Sequence, residues 1–202
     1  MQTPQLLSAM SPSITKMIRA DHSHVMVTSH QYSADTAADR KKAIASTVMA
    51  ALEIHAQLEE EIFYPALQAV DPGDQVLQQA KPQHDEMRRL IGELRQTEPD
   101  SPRHDTLFAT LMREVIHHVA DEETVLLPLA ERLLKERLGE LGAQMTKRRL
   151  QLVGPRVGEI AVNATRAMPV STVLMAGGLF LAGMLVARQA NGRSSSPSRR
   201  HG

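Results

Sequence analysis

The sequence predicts an all-α protein: an up-down four-helix bundle followed by an apolar C-terminal helix. Apolar residues recur at three- and four-residue intervals through four long stretches. Clusters of Pro, Gly, Asp and Ser separate those stretches. Only 2% of residues are aromatic against 42% hydrophobic. Leu, Met, Ala, Val and Ile must therefore fill the core, which suits helix packing better than a β-sandwich.

Helix A is expected over about residues 13–31, with Ile14, Met17, Ile18, Asp21, His22 and Val25 on one stripe. Ser33 to Asp35 reads as a loop. Thr36, with Asp39 three later, reads as a weak capping box opening helix B. That helix runs to about Leu67 and carries Ile44, Val48, Ala51, His55, Glu59 and Ile62 on one side. Pro65 near its end predicts a kink or an early stop. Asp71-Pro72-Gly73 predicts a restart, with Asp71 as cap and Pro72 at the first helical position. Helix C then presents Val76 or Leu77, Ala80, His84, Met87 and Ile91, and Pro82 should bend it. After Glu98-Pro99-Asp100, Ser101 caps helix D, which continues to about Leu138. Leu107, Leu111, Val115, His118, Glu122, Val125 and Leu129 share one face of it.

The predicted organisation is a bundle over 1–140, a basic linker or amphipathic helix over 141–168, a candidate membrane span over 169–188 and a disordered basic tail over 189–202. Gly139 and Gly142 mark the point where the helical pattern loosens. Residues 167–187 carry no charge, and about 20 apolar residues span a bilayer. The alternative is that this segment packs on the bundle. Zero net charge hides an asymmetry: the portion from Gly142 onward is +8 and the first 141 residues are −8. An acidic domain disfavours nucleic acid, whereas a basic tail beside an apolar segment suits an anionic membrane surface. The first thirty residues lack the apolar run of a secretory signal, which predicts a cytoplasmic domain with or without a C-terminal anchor. Cysteine is absent, so any metal must be held by nitrogen and oxygen.

One pattern occurs twice. His55-x-x-x-Glu59-Glu60 leads to Pro65, and His118-x-x-x-Glu122-Glu123 leads to Pro128. Residues four apart lie above one another on a helix, so each His and Glu share a face. With His22 and His84, these residues put four imidazoles and two carboxylates on the apolar faces of four helices. Buried carboxylates are costly unless paired or bound to metal. His22, His55, Glu59, His84, His118 and Glu122 are therefore the candidate metal ligands. Imidazole with carboxylate suits iron, and less closely manganese or zinc. Glu59 and Glu122 are placed to bridge two ions. His55 and His118 would each bind one ion, with His22 and His84 completing the sets.

The neighbouring groups are expected elsewhere. Glu60 and Glu123 fall one position round and belong mainly to a solvated edge, the alternative being acceptance from imidazole N–H groups. Asp21 is placed to orient an imidazole. His117 projects about 100° from His118, toward solvent. His24, His30 and His104 are expected on the surface. Tyr64 either caps the pocket or fills a groove.

These residues together resemble the hemerythrin-like family, the HHE cation-binding domains. The motifs that carry the resemblance are Asp21-His22, His55-x-x-x-Glu59-Glu60 with Tyr64-Pro65, His84, and His118-x-x-x-Glu122-Glu123 with Pro128, over about residues 12–135. The resemblance implies a non-haem centre of two irons per chain, bridged by oxo or hydroxo oxygen and two carboxylates. It further implies oxygen binding, sensing of oxygen or iron, or handling of peroxide or nitric oxide. One departure stands out. Oxygen-carrying members have two histidines four apart on helix C, and here His84 is followed at that offset by Arg88. That loss disfavours reversible oxygen carriage and favours sensing or peroxide reactivity.

The leading functional reading is a membrane-tethered di-iron protein acting on dioxygen, peroxide or nitric oxide in stress defence. A non-enzymatic iron or oxygen sensor acting through a protein partner is the second, and a metal-free structural bundle the third. Homo-oligomerisation stays open. The chain lacks the two Glu-x-x-His pairs of ferritin-like oxidases, which argues against iron storage and fatty-acid desaturation.

Overall fold

The computed structural model describes residues 12–154. The candidate span 169–188 and the tail 189–202 lie outside them. Among the described residues all regular structure is helical, and no helix is long and apolar enough to cross a membrane.

The chain forms a helical bundle. Helix α1 spans Ile14–Ser29 and α2 spans Ala38–Leu58. A π-helical turn, Glu59–Phe63, joins α2 to α3, Tyr64–Gln68. Helix α4 covers Gln75–Arg95 and runs on through Pro82. Helix α5, Pro102–Asp121, passes through a second π-turn, Glu122–Leu126, into α6, Leu127–Leu133. A short 3-10 turn, Lys135–Arg137, leads to α7, Leu138–Val153.

Two apolar clusters make the core. One gathers Ile14 and Ile18, Leu58 to Leu67, Leu77 and Ala80, and Leu126 to Leu134. The other gathers Val25, Ala43 to Leu52, Met87 to Leu94, and Phe108 to Val115. Helices α1, α2 and α4, and α5 with its continuation α6, each contribute to both clusters. His22, His55, His84 and His118 fall at the junction on each helix. A buried polar layer thus lies between two apolar ones.

Several local expectations are corrected. Asp74, not Asp71, caps α4: its carboxylate accepts from the Leu77 N–H at 2.8 Å, while Pro72-Gly73 turns the chain before it. No side chain caps α2; the Thr36 hydroxyl accepts instead from Ser33 N–H within the preceding loop. Ser101 does cap α5, accepting from His104 N–H at 3.2 Å. Helix D ends at Leu133 rather than Leu138, because the chain folds back there to lay α7 over α1 and α2. Gly142 is not a loosening of the pattern. It sits inside α7, where a Cβ would overlap the Pro12 carbonyl oxygen, so its missing side chain permits the close approach.

Pro65 and Pro128 neither stop nor break their helices. A proline ring collides with the carbonyl four residues earlier in an α-helix. Here each proline follows a π-turn, closed by Tyr64 N–H to Glu59 C=O in one case and Leu127 N–H to Glu122 C=O in the other. The wider turn absorbs one extra residue. The residue five after each inward carboxylate therefore also faces inward: Tyr64 after Glu59, and Leu127 after Glu122.

Candidate metal centre

All six predicted ligands come together. His22, His55, Glu59, His84, His118 and Glu122 are each no more than 4% exposed. Their ligand atoms form two groups, His22 with His55, Glu59 and Glu122, and Glu59 with His84 and His118. Atoms in each group lie within 4.8 Å of one another, and Glu59 belongs to both. The imidazoles pair by half: the ring centres of His22 and His55 are 4.9 Å apart, and those of His84 and His118 are 4.6 Å apart.

The outward nitrogens of three imidazoles have acceptors. His84 Nδ1 donates to Glu60 Oε1 at 3.0 Å, and His22 Nδ1 donates to Glu123 Oε1 at 2.9 Å. His118 Nδ1 donates to the Gln83 side-chain carbonyl at 2.8 Å. A neutral imidazole that donates from Nδ1 keeps its lone pair on Nε2. Those lone pairs aim at the centre, where His84 Nε2 and His118 Nε2 lie 3.1 Å apart. His22 Nε2 faces Glu122 Oε2 at 3.2 Å, and His55 Nε2 faces Glu59 Oε2 at 3.1 Å.

The charge states of His84 and His118 agree with this, whereas His22 is drawn toward its charged form by the acids around it. Burial, with the charge of His55, lowers His84 to about 4, and burial with the other imidazoles lowers His118 to about 3. Burial disfavours charged His22 too, but the hydrogen bonds and charges of Glu122 and Glu123 outweigh it and raise the group. Burial and the facing Glu122 push the Glu59 carboxyl well above its usual range. Burial acts on Glu122 as well, yet the His22 hydrogen bond and nearby imidazoles hold it low. His55 Nε2 and Glu59 Oε1 are buried without a hydrogen bond. Acceptors left so in a protein interior are costly, and a cation among them removes the cost. The residues fit a bound metal.

Beside the imidazoles lies a small cavity with about 20 Å³ of room for the centre of a water-sized sphere. Val25, Leu52, Ala56, Met87, Ile91 and Val115 form its apolar wall, and His22, His55, His84 and His118 face it. That volume admits one molecule near the size of water.

The surrounding residues depart from expectation in instructive ways. Glu60 and Glu123 are not simply a solvated edge, since each reaches the imidazole of a neighbouring helix. Arg88 holds Glu60 Oε1 at 2.7 Å. Asp21 acts on His55 Nδ1, at 3.5 Å, rather than on its neighbour His22. Arg149 grips Asp21 with two contacts of 2.6 and 2.5 Å. Burial would raise Asp21, but His55 and Arg149 hold it at about 2. Tyr64 does cap the centre, its hydroxyl donating to Glu122 Oε1 at 2.9 Å. His117 is exposed, as are His24 and His30.

His104 is not a surface residue. It is 3% exposed and donates from Nδ1 to Tyr32 Oη at 2.7 Å, while Tyr32 donates to Asp105. Lys41, 4% exposed, pairs with the same Asp105 at 2.6 Å. The signal was available: Lys41 precedes Ile44 and Val48 on one stripe, and His104 precedes Phe108 and Leu111 on another. Gln83 and Arg149 carried no comparable signal, because their roles depend on which helices are neighbours.

The model of the hemerythrin HHE cation-binding domain matches residues 13–130. No curated protein matches the chain. Among solved structures, the chain is similar to a hemerythrin HHE cation-binding domain-containing protein from Mycobacterium kansasii, at 17% identity and a TM-score of 0.63. The alignment covers 78% of this chain and 99% of that one, and at such low identity the likeness speaks for the fold. A family match over more than half the chain, together with clustered His and Glu side chains suited to a metal, leads to one conclusion: this protein belongs to the hemerythrin HHE cation-binding domain family.

Proposed function

We propose that this protein is a non-haem di-iron protein that binds or reacts with dioxygen, peroxide or nitric oxide, within an up-down four-helix bundle. His22 and His55 would hold one iron and His84 and His118 the other, with Glu59 and Glu122 between them. The observation that carries this reading is the sharing of Glu59 by two buried groups whose imidazole lone pairs converge. Bound iron would supply redox chemistry and Lewis acidity at that point. The chain's own residues bind and orient the metal, and the small apolar cavity excludes molecules much larger than water. A cavity of about 20 Å³ favours a diatomic ligand or peroxide over an organic substrate.

Besides the candidate ligands, the charged residues lining the cavity are Asp21, Glu53 and Arg88, and each is paired with an opposite charge, Arg149, Arg95 and Glu60 respectively. That supports sensing or peroxide handling over acid–base chemistry on a substrate. A role in stress defence, and anchoring of the domain to a membrane through 169–188, complete the proposal. Metal analysis of protein purified from iron-fed cells tests it. Two irons per chain with a near-ultraviolet charge-transfer band are expected. Peroxide consumed without loss of the band indicates catalysis, and slow stoichiometric bleaching indicates sensing. Iron-free protein of full stability would overturn the reading. Removal of 168–202 should release a metal-holding domain from the membrane fraction.

A further inference from the structure

The centre is built from two similar halves. The residue before His22 on α1 reaches His55 on α2, and the residue before His84 on α4 reaches His118 on α5. Those two residues differ: Asp21 is an anion and Gln83 a neutral amide. Gln83 is steadied by Asp121, its amide donating at 2.9 Å. Asp21 is steadied by Arg149 through two parallel contacts of 2.6 and 2.5 Å.

Arg149 lies on α7, beyond the residues 13–130 that match the family. It is adjacent to Arg148, which grips Glu61 in the same two-pronged manner at 2.6 and 2.9 Å. Both arginines tie α7 to the bundle. They differ in what lies behind the acid. Glu61 is an exposed residue, paired on its other side with Gln57. Asp21 faces His55 Nδ1, a buried nitrogen with no hydrogen bond of its own.

We propose that Arg149 is a positioning residue for the metal centre, acting through Asp21 on His55, and that it makes the His22–His55 half the more firmly held of two unequal metal positions. The inference rests on the di-iron reading. The physical reason is that a carboxylate behind an imidazole fixes the ring's orientation and raises its strength as a ligand, which a neutral amide does less well. Asp21 can do so only while it is itself held, since an unheld carboxylate would rotate toward solvent. The two-pronged guanidinium contact sets its plane and direction.

The test compares full-length wild type with Arg149→Ala, Arg149→Lys, Asp21→Asn and Arg148→Ala. Iron release to a chelator is followed optically. Wild type is expected to lose its two irons in two phases. Arg149→Ala should accelerate the slower phase about 10- to 100-fold and leave the faster one unchanged. Asp21→Asn should do the same, with no additional effect when combined with Arg149→Ala. Arg149→Lys should restore part of the loss. Arg148→Ala, which loosens α7 without touching an imidazole, should leave both phases as in wild type. Equal acceleration of both phases, an equal effect from Arg148→Ala, or no effect from Arg149→Ala would overturn the proposal.

Nitrogen-15 shifts of the His55 ring in metal-free protein give a separate reading. They should move in Arg149→Ala and stay in Arg148→Ala. If wild type takes up no iron, the di-iron reading fails, and the shift still decides whether Arg149 governs His55. An unmoved shift overturns that link.

Discussion

The Tyr64 hydroxyl donates to Glu122 Oε1 at 2.9 Å, so a residue at the exit of the first π-turn holds the carboxylate at the entrance of the second. The same oxygen lies 3.3 Å from Glu59 Oε2. One phenol therefore spans both acids from the duplicated motif. The second copy has Leu127 in the equivalent place, so the cap comes from one side only. Tyr64→Phe is expected to remove the sole neutral donor that reaches both acids among the described residues. Metal-free protein should lose about 1–2 kcal/mol, as for a buried acceptor left without its donor. Denaturant titration reads this directly, and an unchanged midpoint would mean the phenol only fills space.

Glu59 belongs to both ligand groups and Glu122 to one. Glu59→Ala should therefore abolish binding of both metals, whereas Glu122→Ala should leave a fraction of it. Metal per chain after gel filtration separates the two cases. Equal losses would show that Glu122 bridges as fully as Glu59.

His117 and His118 are neighbours in sequence with opposite surroundings, the first 71% exposed at its side chain and the second 2%. His118→Ala should release metal, and His117→Ala should change metal content by less than about 0.5 kcal/mol in affinity, the usual limit for surface substitutions. The reverse result would require α5 to be rotated by one residue.

At the far end of the bundle, Lys41 is buried and depends on Asp105. Asp105→Ala strands that ammonium and should cost about 2 kcal/mol, below the 3–5 of a fully buried pair because Asp105 is 28% exposed. The Lys41 hydrogen bond, then that of Tyr32, holds the Asp105 carboxyl below its usual range. A carboxyl depressed on folding stabilises the protein above its unfolded pKa of about 3.9 and loses that contribution as pH falls through the lower, folded value. Thermal melts between neutral pH and about pH 3 should converge for wild type and Asp105→Ala as the acid is protonated. Parallel curves at every pH would show that the pair contributes no linkage.

The six clustered side chains were legible because helical periodicity is a local property. His55 and Glu59, or His118 and Glu122, share a face whatever the rest of the chain does. Burial of acids beside imidazoles then implies a cation by energetics alone. Pro65 and Pro128 were legible as disturbances but not as π-turns, since a kink, a stop and a widened turn each relieve the same clash.

Sequence alone determined the helical class, the apolar stripes, the duplicated motif and the inward faces of the six His and Glu residues, all of which follow from residue type and a period of 3.6. Tertiary structure decided which imidazole each outer acid serves: Asp21 reaches His55 instead of His22, Glu60 reaches His84, and Arg149 arrives from 128 residues away to hold Asp21. It also buried His104 and Lys41 and set α7 against Pro12 through Gly142. Such pairings depend on the rotation and contact of neighbouring helices, quantities that no single helix encodes in its own residues.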